Sequence, residues 1–582
     1  MKSRLLLALL LASTLAACGD PSSAQESPAA DAIVVGAGLS GLSAAIEMGR
    51  AGVNVLVVDM NSVAGGHAVL AGGVALVGTP VQEKAGVKDS PDLAYRDWME
   101  WTDDGDPAWT RYYAEHSRSM IYDWVTGMGV EFVRAGAANG NSVPRFHFTK
   151  GRALHLVMPM FKTALALPNV SFLWNVKAER LVVENGVVRG VLVRHLRTGR
   201  VETLRAANTV LATGGFESDL DRVLGNWTPG LPRPSRLLVG SAISATGSGH
   251  DMATGAGAAL TRIDRHYIYI DGLPDPRDPE GIHALTGGNG RAMWVNAQGR
   301  RFTNEAGWDK TILVDLLNQT PSTYWAIFDE TARDAFGVRG AAWVSTPMEG
   351  HPILDNPKAA HKADSLDALA KMAGLPAGAL TASAARFNTL IAAGADTDFG
   401  RFKAGDRRLP ATIARPPFYA VQFFPMTRKN MGGVSIDMGA RVLDRQGQAV
   451  PGLYAAGELT GSVGINGSHG MDGMFLGPAI LTGRLAGRSI AQAQSGANSA
   501  ARRLTEPEAA PPPAWNPSLN TEFLKPMLSS PRDGYWHFEQ VHKTVVERGY
   551  ECARCHSPQL PFAPVVTRQQ RAAQTELCVN CH

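Results

Sequence analysis

Short apolar runs alternate with amphipathic stretches along most of this chain. Residues 31–35, Asp-Ala-Ile-Val-Val, predict a strand that runs into Gly36-Ala-Gly38-Leu-Ser-Gly41. A helical pattern follows from Leu42 to Arg50, and Val53 to Val58 predicts a second buried strand that ends at Asp59. Together these make a strand–helix–strand unit with G-x-G-x-x-G spacing at the turn and an acid at the end of the second strand. Glycines there let the backbone approach a pyrophosphate at a helix N-terminus, and Asp59 would take the ribose hydroxyls. The unit alone does not separate FAD from NAD.

Further along, Trp98, Trp101, Trp109, Tyr112, Tyr113 and Trp124 recur at roughly helical spacing, which predicts a core face. Val170 to Leu192 alternates apolar and polar residues around Glu184-Asn-Gly186, which predicts a β-hairpin. Residues 362–374 and 377–393 predict two amphipathic helices, N-capped by Ser365 and Thr381. Val450 to Glu458 predicts another buried strand, and Leu476-Gly-Pro478 opens a last helix with proline in its first turn. Residues 498–519, with Pro511-Pro-Pro513, are Ala-, Pro- and Arg-rich and predict a linker.

Composition narrows the classes. The 582 residues are 45% hydrophobic and 19% charged, ordinary for globular domains and long enough for several. A net charge of +3 provides no basic stripe, so a nucleic-acid partner is not expected. The one long apolar run is N-terminal: Lys2 and Arg4 precede Leu5 to Ala17, which predicts a signal peptide over 1–18. Its end, Leu15-Ala16-Ala17-Cys18, resembles the bacterial lipobox, whose cysteine is lipidated; the other reading is an ordinary cut near Ala17. Residues 19–30 then form a tether, and the protein is expected to be a periplasmic, membrane-anchored lipoprotein of a bacterium.

Besides Cys18 the cysteines are Cys552, Cys555, Cys578 and Cys581, arranged as Cys552-Ala-Arg-Cys555-His556 and Cys578-Val-Asn-Cys581-His582. Two C-x-x-C-H units predict two covalently bound c-type haems: the thiols add to the vinyl groups and His556 and His582 reach the irons. His537 and His542 are the candidate sixth ligands, with Met527 the runner-up at one site. A zinc site or two disulfides would use the same cysteines but leave the repeated histidine unexplained.

Beyond the first turn, Gly65-Gly66, Gly72-Gly73, Val210-Leu-Ala-Thr213-Gly214-Gly215-Phe216, Ala245-Thr-Gly-Ser-Gly249, Val295-Asn-Ala-Gln-Gly-Arg-Arg-Phe-Thr-Asn-Glu305, Met431-Gly-Gly-Val434 and Gly452-Leu-Tyr-Ala-Ala-Gly-Glu458 recur in order. This set, over roughly residues 31–495, resembles the FAD-binding flavoproteins of the fumarate reductase, flavocytochrome c and 3-ketosteroid dehydrogenase group. The resemblance implies an α/β fold: a Rossmann-like FAD-binding domain (31–245 and 416–497) with an inserted α+β capping domain (246–415), followed here by a small haem-wrapped segment (520–582). It implies FAD as cofactor, with Ala178 meeting the adenine and Glu458 holding the ribityl chain. The helix carrying Pro478 and Ala479 would point its N-terminus at the flavin N1/O2 edge. His67 falls in the loop that passes the isoalloxazine; some relatives attach FAD covalently through a nearby histidine, but here the spacing to Gly72-Gly73 is one residue shorter.

The chain departs from fumarate reductases where they clamp two carboxylates. Gly288 stands at the family's first arginine, Trp308 near the proton-donor arginine, and Arg428-Lys429-Asn430 replaces His-His-Thr. Gly467-Ser-His469-Gly-Met-Asp-Gly-Met-Phe-Leu-Gly-Pro478 is closer to the ending of ketosteroid dehydrogenases. Fumarate itself is therefore not expected. The remaining catalytic candidates are His266, Tyr267, Arg291, Arg428 and Lys429, with Tyr269 and His469 beside them. Arg428 and Lys429 suit a carboxylate, and His266 or a tyrosine suits proton transfer. The expected activity is hydride transfer to an unsaturated organic acid or enone, with single electrons relayed through two haems from a quinol-linked or soluble cytochrome. The alternatives are a dehydrogenase of a ketosteroid-like, alcohol or ketone substrate, and a non-catalytic electron-transfer lipoprotein.

Overall fold

The computed structural model describes residues 30–495, save 62, 152, 197–198, 277, 279, 308–309, 340–347, 350 and 404–409. The expected signal peptide with Cys18, the tether up to residue 29, Trp308, Met527 and the linker lie outside the described residues. So does the haem segment with Cys552, Cys555, Cys578, Cys581, His537, His542, His556 and His582.

A six-stranded sheet carries the first part of the chain. Its order is Arg441–Leu443, Ala449–Ala455, Asn208–Leu211, Ala32–Val35, Val55–Asp59, Val170–Trp174. All neighbours are parallel except the edge strand Arg441–Leu443. Alternate residues of one strand feed two different cores: Ala32 and Val34 pack with Leu42 and Ile480, whereas Ile33 and Val35 pack with Ala178, Val191 and Leu453. Burial on both faces is why these strands read as unbroken apolar runs. One face is covered by the helices Leu39–Arg50 and Leu476–Ser495, the other by the three-stranded sheet of Val176–Glu184, Val187–His195 and Val201–Arg205.

The expected hairpin over Val170–Leu192 needs correction. Val170–Trp174 pairs with Val55–Asp59 in the six-stranded sheet, and only Val176–Glu184 forms the hairpin with Val187–His195. Asn175, at φ +58°, breaks the run between them. Left-handed backbone is one that asparagine tolerates better than most residues. Ser365 caps its helix as expected, accepting from the Ala368 N–H at 3.2 Å. Thr381 does not: the helix Ala379–Ala393 starts after a left-handed Gly378, and Thr381 instead donates to Asp367 at 2.8 Å.

The capping unit is built on a nine-stranded sheet whose central strand is Phe418–Asn430. That strand pairs with His266–Pro274, Tyr324–Asp329 and Ala360–Ala363, and with Leu238–Val239. Both expected borders therefore move. The chain leaves the cap after Asn430 rather than at 415. At the other end, the helix Ser248–Gly255 packs Met252 and Ala253 into the core of the FAD-binding part, so 246 is not the entry to the cap. Phe418–Asn430 thus runs from the cap core to the boundary with the first sheet, and delivers Arg428, Lys429 and Asn430 there.

The aromatic stripe is core. Trp98 and Tyr113 are fully buried, and the turn between their helices lies against the 464–468 loop, with the Asp106 N–H on the Gly464 carbonyl and the Ser468 N–H on the Thr102 carbonyl. Beneath them Arg145 is fully buried between Asp89, met at 2.7 Å, and Asp97, met at 2.5 Å. Removing one side of a buried pair strands the other charge, at a cost of about 3–5 kcal/mol. Arg145→Met is expected to destabilise the fold by that amount in denaturant unfolding, and the double variant with Asp89→Asn by less.

Candidate functional site

At the first turn the glycines are required by contact. A Cβ on Gly36, at φ +107°, would lie 2.3 Å from the Ala212 carbonyl oxygen, and one on Gly41 would lie 1.9 Å from the Gly36 carbonyl oxygen. Gly38 is the N-cap of Leu39–Arg50, with no side chain capping the helix and no acid in its first turn. An uncapped helix start with backbone this close packed leaves room for an anion. Asp59 lies beneath it, accepting from the Ala37 N–H at 2.7 Å and the Asn61 N–H at 2.7 Å. Burial raises its carboxyl to about 6. Ala178 sits inward on the hairpin strand, against the same core as Ile33 and Val58.

Three segments converge at the far end of the sheet. Gly65 and Gly66, both at positive φ, lead into the short helical turn Gly66–Leu70 that carries His67, and Gly73 closes that loop on the His147 carbonyl. Thr213-Gly214-Gly215 follows Asn208–Leu211, and a Cβ on Gly215 would strike Asn430 Oδ1 at 1.9 Å and Glu458 Oε1 at 2.5 Å. Glu458 follows Ala449–Ala455. Lys429 Nζ bonds His67 Nδ1 at 2.7 Å and Glu458 Oε2 at 3.3 Å, with all three side chains nearly buried. Burial, and then Lys429, lower His67 to about 3, so the ring is neutral and its Nδ1 accepts from the ammonium. Desolvation would raise Glu458, but the Lys429 ammonium against it outweighs that and brings the carboxyl down to about 2.

His67 Nε2, Glu458 Oε1 and Thr213 Oγ1 are buried with no hydrogen-bond partner among the described residues. Such atoms are costly unless another group meets them. They belong to the segments that the sequence resemblance assigns to FAD, so the residues present fit that cofactor. Pro478 and Ala479 lie in the first turn of Leu476–Ser495, and Thr482 of that helix accepts from the Gly457 N–H at 2.9 Å, tying the helix to the Glu458 turn.

Next to this cluster is a second one on the cap side. Tyr267 and Tyr269 both direct their hydroxyls to Asp472 Oδ1, at 3.4 and 3.3 Å, with the rings edge to face. Burial, then the Asp472 charge, raise both phenols, which keeps them protonated. Arg428 lies with its guanidinium 5.5 Å from the Tyr269 ring centre and donates to the Gly240 carbonyl at 2.5 Å. The loop bearing Asp472 is pinned to the helix Pro91–Thr102. Trp101 donates to the Gly470 carbonyl at 3.2 Å, and His469 meets Asp103 at 2.9 Å.

Two candidates fall outside this arrangement. His266 is buried, with Nδ1 on Glu217 at 2.8 Å and Nε2 on the Asn226 carbonyl at 2.9 Å, and it stacks on Trp227. With both nitrogens engaged it is a support and not a proton carrier to substrate. Arg291 is exposed on the turn between Ala284–Asn289 and Met293–Val295, where its guanidinium reaches the Thr331 carbonyl at 3.3 Å; it does not join the cluster. His469 serves the loop through Asp103. Sequence reasoning passed over Asp472 and Glu217. Asp472 lay inside the Gly467–Pro478 motif, but nothing local in the sequence pairs it with tyrosines some two hundred positions earlier.

The FAD binding domain family matches residues 31–479. The chain is 33% identical over 468 residues, 79% of its length and 77% of the relative's, to a fumarate reductase (cytochrome) of Shewanella frigidimarina. It is 30% identical over 549 residues, 80% of its length and 96% of the relative's, to a KsdD-like steroid dehydrogenase of Mycobacterium tuberculosis. Among solved structures, the open conformation of a flavocytochrome c3 fumarate reductase is similar with a TM-score of 0.67 at 28% identity, covering 81% of this chain and 79% of that one.

Proposed function

This chain belongs to the FAD binding domain family, and from there we propose that it is an FAD-dependent oxidoreductase that saturates an activated C=C bond of an organic acid or enone. When bound, FAD supplies hydride exchange at N5 and single-electron exchange. The observation that carries the reading is the pair Tyr267 and Tyr269 on Asp472, on the strand antiparallel to Phe418–Asn430, where Tyr267 lies opposite Lys429 of the Lys429–His67–Glu458 cluster. A C=C reduction needs a proton as well as a hydride, and a buried phenol that stays protonated is a store for it. Tyr267 or Tyr269 holds that proton at its hydroxyl, and Asp472 fixes the direction of both hydroxyls. Arg428 binds the carboxylate or carbonyl oxygen that polarises the double bond, since its guanidinium is only partly used by Gly240.

The two C-x-x-C-H motifs support two covalent haems as the one-electron relay, fed by a quinol-linked or soluble cytochrome. The N-terminal run and Cys18 support export and lipid anchoring in the periplasm. A dehydrogenase running the other way is the second reading. The Gly467–Pro478 motif favours it, as does the pairing of Lys429 with Glu458, which leaves it compensated rather than available to a second carboxylate.

The variants Tyr267→Phe and Tyr269→Phe test the proton store. At least one is expected to lower turnover by about 10²-fold or more while flavin content stays unchanged. Both phenylalanine variants turning over at the parent rate would defeat the assignment.

A further inference from the structure

The Lys429–His67–Glu458 cluster has a charge arrangement that substrate binding does not explain. Lys429 is nearly buried at the end of Phe418–Asn430, its ammonium engaged by His67 Nδ1 at 2.7 Å and Glu458 Oε2 at 3.3 Å. An ammonium so occupied is a poor clamp for a substrate carboxylate. Yet the two partners each keep one buried atom, His67 Nε2 and Glu458 Oε1, without a partner among the described residues. Lys429 therefore stands behind the two side chains that present unpaired atoms to the cofactor.

We propose that Lys429 is the charge-compensating residue of the flavin, its ammonium balancing the negative charge gained on two-electron reduction and its proton occupancy linked to that reduction. The inference rests on FAD being held by this cluster. Other charged groups that act on Lys429 are Arg428 beside it on the strand, Glu458 and His67 across from it, and Glu217 after Asn208–Leu211. His67 is neutral, Glu458 is anionic, and burial raises the Glu217 carboxyl. Burial brings Lys429 itself down to about 8.

Reduction to the anionic form takes two electrons from an external reductant and one proton. With the cofactor oxidised, Lys429 gives up its proton above about pH 8. The negative charge of the reduced form raises that value again, so above pH 8 reduction takes up a second proton, onto Lys429 Nζ. By linkage, the group that changes its proton affinity on reduction changes the potential with pH over the same window.

The test is a dye-equilibrated anaerobic titration of the full holoprotein, with flavin content first measured by release on denaturation. In the parent, the potential is expected to fall with one proton per two electrons below about pH 8 and with two above it. Lys429→Met should disfavour reduction by at least about tenfold, close to 30 mV for a two-electron couple, and remove the bend. Lys429→Arg should keep the potential and also lose the bend. A straight one-proton line through pH 9.5, about a unit and a half past the expected bend, in flavin-replete parent protein would overturn the role of Lys429 without any variant. So would Lys429→Met with full flavin and an unchanged potential. Parent protein with no flavin either released on denaturation or retained on the denatured chain would overturn the FAD reading itself.

Discussion

Gly41→Ala is expected to yield protein with almost no flavin. The new methyl would lie 1.9 Å from the Gly36 carbonyl oxygen and 3.1 Å from Val34 Cγ1. Neither neighbour is the free end of a flexible chain, so the turn or the helix start must shift. Phosphate binding at a helix N-terminus depends on that backbone geometry. A loss of about 3 kcal/mol is roughly a hundredfold in affinity, enough to strip the cofactor on purification. Gly225→Ala is the matched control: a Cβ there meets nothing within 4 Å, and flavin content should equal the parent's. The reading is the flavin-to-protein absorbance ratio, with circular dichroism to follow the fold. Full flavin in Gly41→Ala would show that the first turn does not hold the cofactor.

The second large effect concerns the C-terminal motifs. The full chain, made in a host that attaches c-type haem, should bind two covalent haems, one per C-x-x-C-H. Changing Cys578 and Cys581 to serine should leave one, read as the alkaline pyridine spectrum per protein. Flavin reduction by dithionite should persist, while turnover driven by a one-electron donor should collapse, because the relay is broken. Bound zinc with no covalent haem would instead support the rival use of the same four cysteines.

Much of the FAD-binding part was legible because its signals are local. The Gly36–Gly41 turn, the strand ends and the Gly452–Glu458 run lie within short windows, and burial on both sheet faces leaves unbroken apolar strings. The errors arose where a local pattern hid a long-range choice. Val170–Leu192 alternates through Asn175, yet the chain changes sheets there. Phe418–Asn430 reads as a return to the first domain, but its register ties it to the cap. Polar residues were legible by type and not by partner. Lys429 suited a carboxylate, but its ion-pair partner, Glu458, is one of the protein's own side chains. His266 suited proton transfer until Glu217 and the Asn226 carbonyl took both nitrogens. Asp472 acquires meaning only from the two tyrosines that reach it.

The reaction proposed for this flavoprotein is delivery of electrons to an activated C=C bond. The most direct measurement follows the reduced haem and flavin bands of the full chain, kept anaerobic, as a panel of unsaturated acids and enones is added. Rapid reoxidation by one of those classes is expected, slowed by at least one of Tyr267→Phe and Tyr269→Phe. Bands that stay reduced with every acceptor, while saturated ketones or alcohols reduce the oxidised protein, would contradict it.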